Sequence, residues 1–362
     1  MSAQEYVVQP KEPPATLARV AASAGVSVAT VSKVLNGRSD VGPATRARVQ
    51  TLLQEHGYIG RRVESARRTL AAQPTVELVF HGRLSGHSME ILQGVLGAAT
   101  EVGVAVAVSV RPRQVASTGV ERPAAWVRHL AKVGRQAVID VVDDLRQGDL
   151  AALSRARLPL VVIDPLNLPR RQVTSVGATN FAGGLAATQH LLALGHRRIA
   201  YLGTNVAFAY NQARMHGYRA ALESGGVEVP EGYVRTGHSH YETGVTGGGV
   251  LLDLPQQPTA VFAATDEIAA GVVEAARART LRVPEDLSVV GFDDAEVARL
   301  LSPPLTTVRQ PLREMGQVAL RTALRLAAGE TLDAHHVELA TELVVRSSTA
   351  APPNSGGLVA AQ

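Results

Sequence analysis

Three carboxylates stand at the ends of short apolar runs. Asp164 closes "LVVID", Asp266 follows "VFAAT", and Asp293 lies in "VVGFDD". Arg214, in "NQARMHGY", stands at the start of a helical pattern. Carboxylates accept hydrogen bonds from hydroxyl groups, and a guanidinium donates them in a fixed fork. That set suits a polyhydroxylated ligand, which also needs an aromatic face against its apolar side. Phe208, Tyr210, Phe181 and Trp126 are candidate faces. His81, Leu84 and His87 follow the first strand-like run and can reach the same space. Asp266 has a second reading, as the cap of the helix that follows it. Arg214 and Asp293 have one too, as a structural ion pair.

Other chemistry is poorly supported. "TGGGV" (246–250) lacks the Gly-Lys-Ser/Thr that completes a phosphate loop. "GATNFAGG" is glycine-rich without dinucleotide spacing. His335 and His336 are neighbours on a strand-like run, so they point to opposite faces and make a poor metal pair. No Ser-His-Asp set can be assembled. The expectation is a protein that is not an enzyme and needs no metal or cofactor.

The elements that must position these residues begin after Pro74. Apolar, β-branched runs such as "VELVF", "AVIDVV", "RRIAYLG" and "LSVVGFDD" alternate with longer amphipathic ones. Strands alternating with helices imply parallel sheets covered on both faces. Two consecutive series imply two α/β lobes with a cleft at the carboxyl ends of their strands, where open α/β sheets hold ligands. We place the core at 75–349, with one lobe at about 75–174 and 308–334 and the other at about 175–307 and 335–349. Residues 1–15 and 350–362 read as disordered tails, and 58–74, "YIGRRVESARRTLAAQP", as a basic linker.

Residues 16–57 show helical periodicity and no strand pattern. In "VAASAGVSVATVSKVLNGR" (20–38), Gly25 supplies the positive φ of a tight turn between two short helices. Ala21, Ala22 and Ala24 let the helices approach. Val20, Val26, Val31, Val34 and Leu35 form the expected core. Ser27 is placed to cap the second helix. Val28, Ala29 and Lys33 then project outward toward a DNA major groove, with Thr30 and Ser32 as phosphate or base contacts. A third helix starts with Pro43 and ends at Gly57.

The charge distribution agrees. Residues 1–72 carry ten Lys/Arg and five Asp/Glu, whereas the other 290 residues carry 26 and 27. A local basic excess suits a polyanion. With no cysteine, disulfides, thiolate metal sites and thiol nucleophiles are excluded, which fits a reducing compartment. No signal-peptide pattern or membrane-length apolar run is present, so a cytoplasmic, nucleoid-associated protein is expected.

The segment "TLARVAASAGVSVATVSKVLNGRSDVGPATRARVQTLLQEHGYI" resembles the DNA-binding domain of the lactose-repressor (LacI/GalR) family. "GGLAATQHLLALGHRRIAYLG", "GYRAALESGG", "RVPEDLSVVGFDD" and "PPLTTVRQPLREMG" are similar to that family's core motifs. The resemblance covers the chain apart from its tails. It implies a homodimeric transcriptional regulator, a repressor of carbohydrate uptake or catabolism genes. A helix-turn-helix, a hinge helix and a core like periplasmic sugar-binding proteins make up such a chain. The implied partners are a palindromic double-stranded operator and a small effector, a sugar or sugar phosphate; a purine effector and an activator role are the alternatives. A stand-alone solute-binding protein would fit the core but not residues 16–57.

Carried over residue by residue, Thr16 and Leu17 begin the first helix, with Thr16 near phosphate. Val28 and Ala29 fall at the main base-reading positions. Asp164, Arg214 and Asp293 fall at effector positions. Thr265 and Asp266 replace the usual Asn-Asp pair, and Ser239 stands near a common aromatic. The linker departs most, with Gly60 and Arg61 in place of Pro-Asn, Glu64 in place of Ala, and Arg67 in place of the intercalating Leu. Leu70 lies three residues on. Arg67 or Arg68 would then enter a narrowed minor groove or touch phosphates.

Overall fold

The computed structural model describes residues 17–35, 38, 40–55, 73–111, 123–142, 147–167, 173–238 and 240–353. Thr16, Arg61, Arg67, Arg68, Leu70 and Ser239 lie outside the described residues. The chain divides into two units, Met1–Gln73 and Pro74–Gln362.

In the first unit, α1 (Leu17–Ala24), α2 (Val28–Leu35) and α3 (Pro43–Glu55) surround a small core. α1 and α2 meet at 104°. Gly25 makes this turn with φ +63°, a conformation a Cβ would strain. Ala21, Ala24, Val20, Val31, Val34 and Val49 are buried together. Two expectations fail here. Leu35 is 38% exposed, and Ala22 faces outward, because the helical period turns both away from α3.

The second unit holds two six-stranded sheets. The first has the order β11-β5-β4-β3-β1-β2. Its strands are β1 (Thr75–His81), β2 (Ala105–Arg111), β3 (Arg135–Val141), β4 (Leu160–Ile163), β5 (Thr174–Ala178) and β11 (His336–Leu339), all paired in parallel. It is flanked by α4 (Gly86–Val102), α5 (Pro123–Lys132), α6 (Gln147–Arg155) and α12 (Leu312–Ala327). α4 and α12 touch backbone to backbone, since a Cβ on Gly94 would lie 2.0 Å from the Arg313 carbonyl oxygen.

The second sheet has the order β12-β10-β9-β8-β6-β7. It comprises β6 (Ile199–Gly203), β7 (Val234–Thr236), β8 (Ala260–Ala263), β9 (Ser288–Asp293), β10 (Thr306–Arg309) and β12 (Glu342–Val344). Only β12 is antiparallel among the described strands. α7 (Asn180–Ala193), α8 (Ala209–Ser224), α9 (Tyr241–Leu252), α10 (Asp266–Arg277) and the short α11 (Glu296–Leu300) belong to this lobe.

The lobe boundaries differ from those expected. β5 and β11 belong to the first sheet and β10 to the second. Residues 335–349 are expected in the second lobe throughout, but the chain crosses between sheets inside them, after β11. Hydrogen bonding fixes the crossing: the Thr341 N–H donates to Thr179 Oγ1 at 2.9 Å, tying it to the β5–α7 crossing. A third crossing, from β10 to α12, passes through Gln310.

Candidate functional site: a DNA-reading helix and an interlobe cleft

Ser27 caps α2 as expected. Its Oγ accepts from the Thr30 N–H at 3.1 Å and lies 2.9 Å from Thr30 Oγ1. Thr30 is therefore turned partly inward toward the cap. Val28, 46% exposed, and Ala29 stand open on the first turn. Ser32 is half-buried, and Leu17 packs against the small core. Lys33 does not point freely outward: its Nζ donates to Asp40 Oδ2 at 2.7 Å. That ammonium, bonded and close by, lowers the Asp40 carboxyl below its usual range.

In the second unit a cavity of about 620 Å³ lies between the two lobes. This is within the roughly 300–1,000 Å³ range of small-molecule sites. The first lobe contributes Asp164 and His87; the second contributes Tyr210, Arg214 and Asp293. Asp164 and Asp293 end strands with φ of +48° and +119°. Such conformations are rare for non-glycine residues and collect at functional sites. Here they turn carboxylates out of the sheets at the cleft.

Arg214 lies in the second turn of α8 rather than at its start. It is 2% exposed. Its Nε donates to Asn180 Oδ1 at 2.8 Å and its Nη1 to the Ala264 carbonyl at 2.6 Å. Nη1 is also 3.6 Å from Asp293 Oδ1. The guanidinium lies 3.7 Å from the Phe292 ring centroid and 5.1 Å from that of Tyr210. Asp293 Oδ1 accepts from Gln310 Nε2 at 2.6 Å. Burial pushes the Asp293 carboxyl up, and Arg214 and His87 pull it only part of the way back.

His87 Nε2 is 3.3 Å from Asp164 Oδ2. Burial disfavours its charged form, but the bond to Asp164 and the nearby Asp293 outweigh it, so its pKa rises. His81 also lines the cavity, with Nε2 2.8 Å from Asp140 Oδ1.

Asp266 does not cap α10. Thr265 does, accepting from the Ile268 N–H at 3.2 Å. Asp266 is fully buried and both its oxygens are engaged, with the Ala295 N–H at 2.8 Å and the Thr307 hydroxyl at 2.5 Å. It pins β10 and the loop after β9 at the cavity wall, one bond to each oxygen. Burial, reinforced by Asp293, pushes its carboxyl well above the usual range.

The aromatic candidates divide. Tyr210 is on the cavity wall; Phe208, Phe181 and Trp126 are not. Phe208 instead precedes α8 and lies against Tyr210, with ring centroids 5.7 Å apart. Phe181 is exposed, and Trp126 lies under Arg111 in the first lobe. Leu84 is also absent from the wall. Sequence reasoning missed His238 and His240, which line the cavity and stack on each other with centroids 6.4 Å apart. Their alternation around position 239 was the available signal.

A helix-turn-helix joined in one chain to a cleft-bearing, two-lobed α/β core defines a DNA-binding transcriptional regulator. Residues 16–60 match the model for bacterial regulatory proteins of the lacI family, and residues 188–349 match the periplasmic binding protein-like domain. The transcriptional regulator CelR of Thermobifida fusca is 37% identical over 92% of this chain and 98% of its own. The repressor CytR of Escherichia coli is 31% identical over 95% and 98%. Two solved structures are similar with TM-scores of 0.68. A CelR–cellobiose complex is 34% identical and covers 92% of this chain and 99% of its own. A lac repressor dimer bound to operator and the anti-inducer ONPF is 29% identical and covers 94% and 100%. This chain belongs to the lacI family of bacterial transcriptional regulators.

Proposed function

We propose that this regulator represses carbohydrate uptake or catabolism genes and that a sugar-class molecule in the interlobe cleft sets its operator affinity. The observation that carries the reading is the convergence of Asp164 from one lobe with Arg214, Asp293 and Tyr210 from the other around one cavity. A ligand touching both lobes stabilises one arrangement of them over another, which is the differential affinity that a population shift requires. The relative solved with cellobiose supports the sugar class.

On DNA, Val28 and Ala29 pack against thymine methyls, because neither can make a bidentate base hydrogen bond. Lys33, Ser32, Thr30 and Thr16 contact phosphate or base edges, and Arg61, Arg67 and Arg68 hold the operator centre. Each protomer of a homodimer takes one half-site of a palindrome. Exposed Val108 and Val110 on β2, with Leu96 and Val102 on α4, offer apolar surface for that pairing. The protein acts in the cytoplasm.

The test is calorimetry against a panel of sugars, followed by operator titration with and without the sugar that binds. One sugar per chain should bind and change operator affinity. Coupling is reciprocal, so operator must change the sugar's affinity by the same factor. Equal sugar affinity with and without operator would sink the regulatory reading.

A further inference from the structure

The wall of the cleft carries charge in an arrangement that bears on which ligand enters. Arg83 follows β1 in the first lobe, and Glu267 is the second residue of α10 in the other. Arg83 Nη2 donates to Glu267 Oε2 at 3.0 Å, an ion pair across the cleft between two residues of its wall. Deeper inside, Arg214 faces Asp293 and His87 faces Asp164. Both arginines of the described wall therefore already face a carboxylate. Glu296 adds a further acidic group to the same wall.

A phosphate or carboxylate ligand is normally held by an unmatched Arg or Lys, or by a helix N-terminus with free N–H groups. α10 begins at the wall, but Asp266 and Glu267 already fill its first turn and Thr265 takes one of its N–H groups. α4 also begins there, with Ser85 accepting from the Ser88 N–H at 3.4 Å. Arg83 stands next to that end, and Glu267 is what neutralises it. Hydroxyl groups, by contrast, can donate to Asp164 and Glu296 without displacing any of these pairs.

We propose that the cleft takes an uncharged polyhydroxylated ligand and turns away phosphorylated or carboxylated sugars, with Glu267 enforcing the choice by neutralising Arg83. This rests on the sugar-class reading above. Glu267 is a specificity determinant: without it, Arg83 becomes a free cation beside the N-terminus of α4, and an anionic sugar gains a partner.

Calorimetry with cellobiose, lactose and maltose, each beside its 6′-phosphate, tests this on the full chain. At least one neutral sugar should bind tenfold or more tightly than its phosphate. Glu267→Gln should narrow that ratio at least threefold through tighter phosphate binding. Arg83→Ala added to Glu267→Gln should remove the gain. Both positions are partly exposed, so the variants should fold, and a melting curve checks this. A wild-type protein that prefers the phosphate, or a ratio unmoved by Glu267→Gln, overturns the inference and leaves the sugar reading standing. Binding of neither series overturns the sugar reading and this inference with it.

Discussion

Replacing Arg214 with Ala should destabilise the core even with no ligand present. The wild-type guanidinium satisfies Asn180 Oδ1 and the Ala264 carbonyl and faces Asp293 across 3.6 Å, all in a buried cluster. Truncation orphans two acceptors at about 1–3 kcal/mol each. It also strips a buried carboxylate of its cation, for which losses of about 3–5 kcal/mol are typical. The terms overlap, because Gln310 still donates to Asp293 and Asp293 can take a proton. A total of about 3–5 kcal/mol is therefore expected. At roughly 2–4 °C per kcal/mol for a unit of this size, the melting temperature falls on the order of 10 °C. Arg214→Lys keeps the charge but not the fork, and should lie between Ala and wild type. Scanning calorimetry of the ligand-free proteins decides. An Arg214→Ala protein that melted within about 2 °C of wild type would show that this buried guanidinium does not stabilise the core.

Four further outcomes are expected. His87 has a raised pKa, so it contributes stability fully below its unfolded value of about 6.5 and loses it as pH rises through the folded value; the melting-temperature difference between wild type and His87→Gln should shrink toward alkaline pH, and a flat difference from pH 5.5 to 8.5 would count against the network. Gly94→Ala should destabilise the first lobe by about 3 kcal/mol or more in urea unfolding, since overpacking costs about 1–3 kcal/mol or more and the Cβ meets the Arg313 backbone rather than a side chain that can move. Asp40→Asn should tighten operator binding a few-fold at low salt by releasing Lys33, with the gain fading as salt rises, whereas Lys33→Ala should lower the salt slope by about one; anisotropy titrations at several salt concentrations read both. Ser348→Ala should cost about 1–3 kcal/mol, because the Thr306 N–H loses its 2.8 Å partner inside the second lobe.

Local chemistry that needs no distant partner was readable from residues in order. Gly25 and Ser27 announced the turn and cap of α2 within a few positions of each other. The alternation of strands and helices announced two α/β lobes, and the strand-end positions of Asp164 and Asp293 placed both at the cleft. Long-range pairing was hidden. Nothing near Asp266 says that Thr307, forty-one positions away, donates to it. Nothing near Lys33 says that the turn before α3 returns Asp40 to its ammonium. Phe208 failed as a wall residue because two positions along the α8 entry separate a ring facing the cavity from one facing its neighbour. The β11–β12 boundary was invisible because hydropathy records that a run is buried, not in which sheet.

The three crossings at Ala178–Asn180, Arg309–Leu312 and Leu339–Glu342 have a bearing on inheritance. Each lobe is assembled from separate stretches of the chain, so no single breakpoint in the gene between β1 and β12 separates one from the other. A recombination that exchanged only residues 180–309 would carry β6 to β10 as a block, leave their partner β12 behind, and line the cleft with one native and one foreign lobe. The ligand site stays matched only when both lobes that line it travel together. A break near position 73, between the two units, is where a new operator preference can be grafted onto an old effector response.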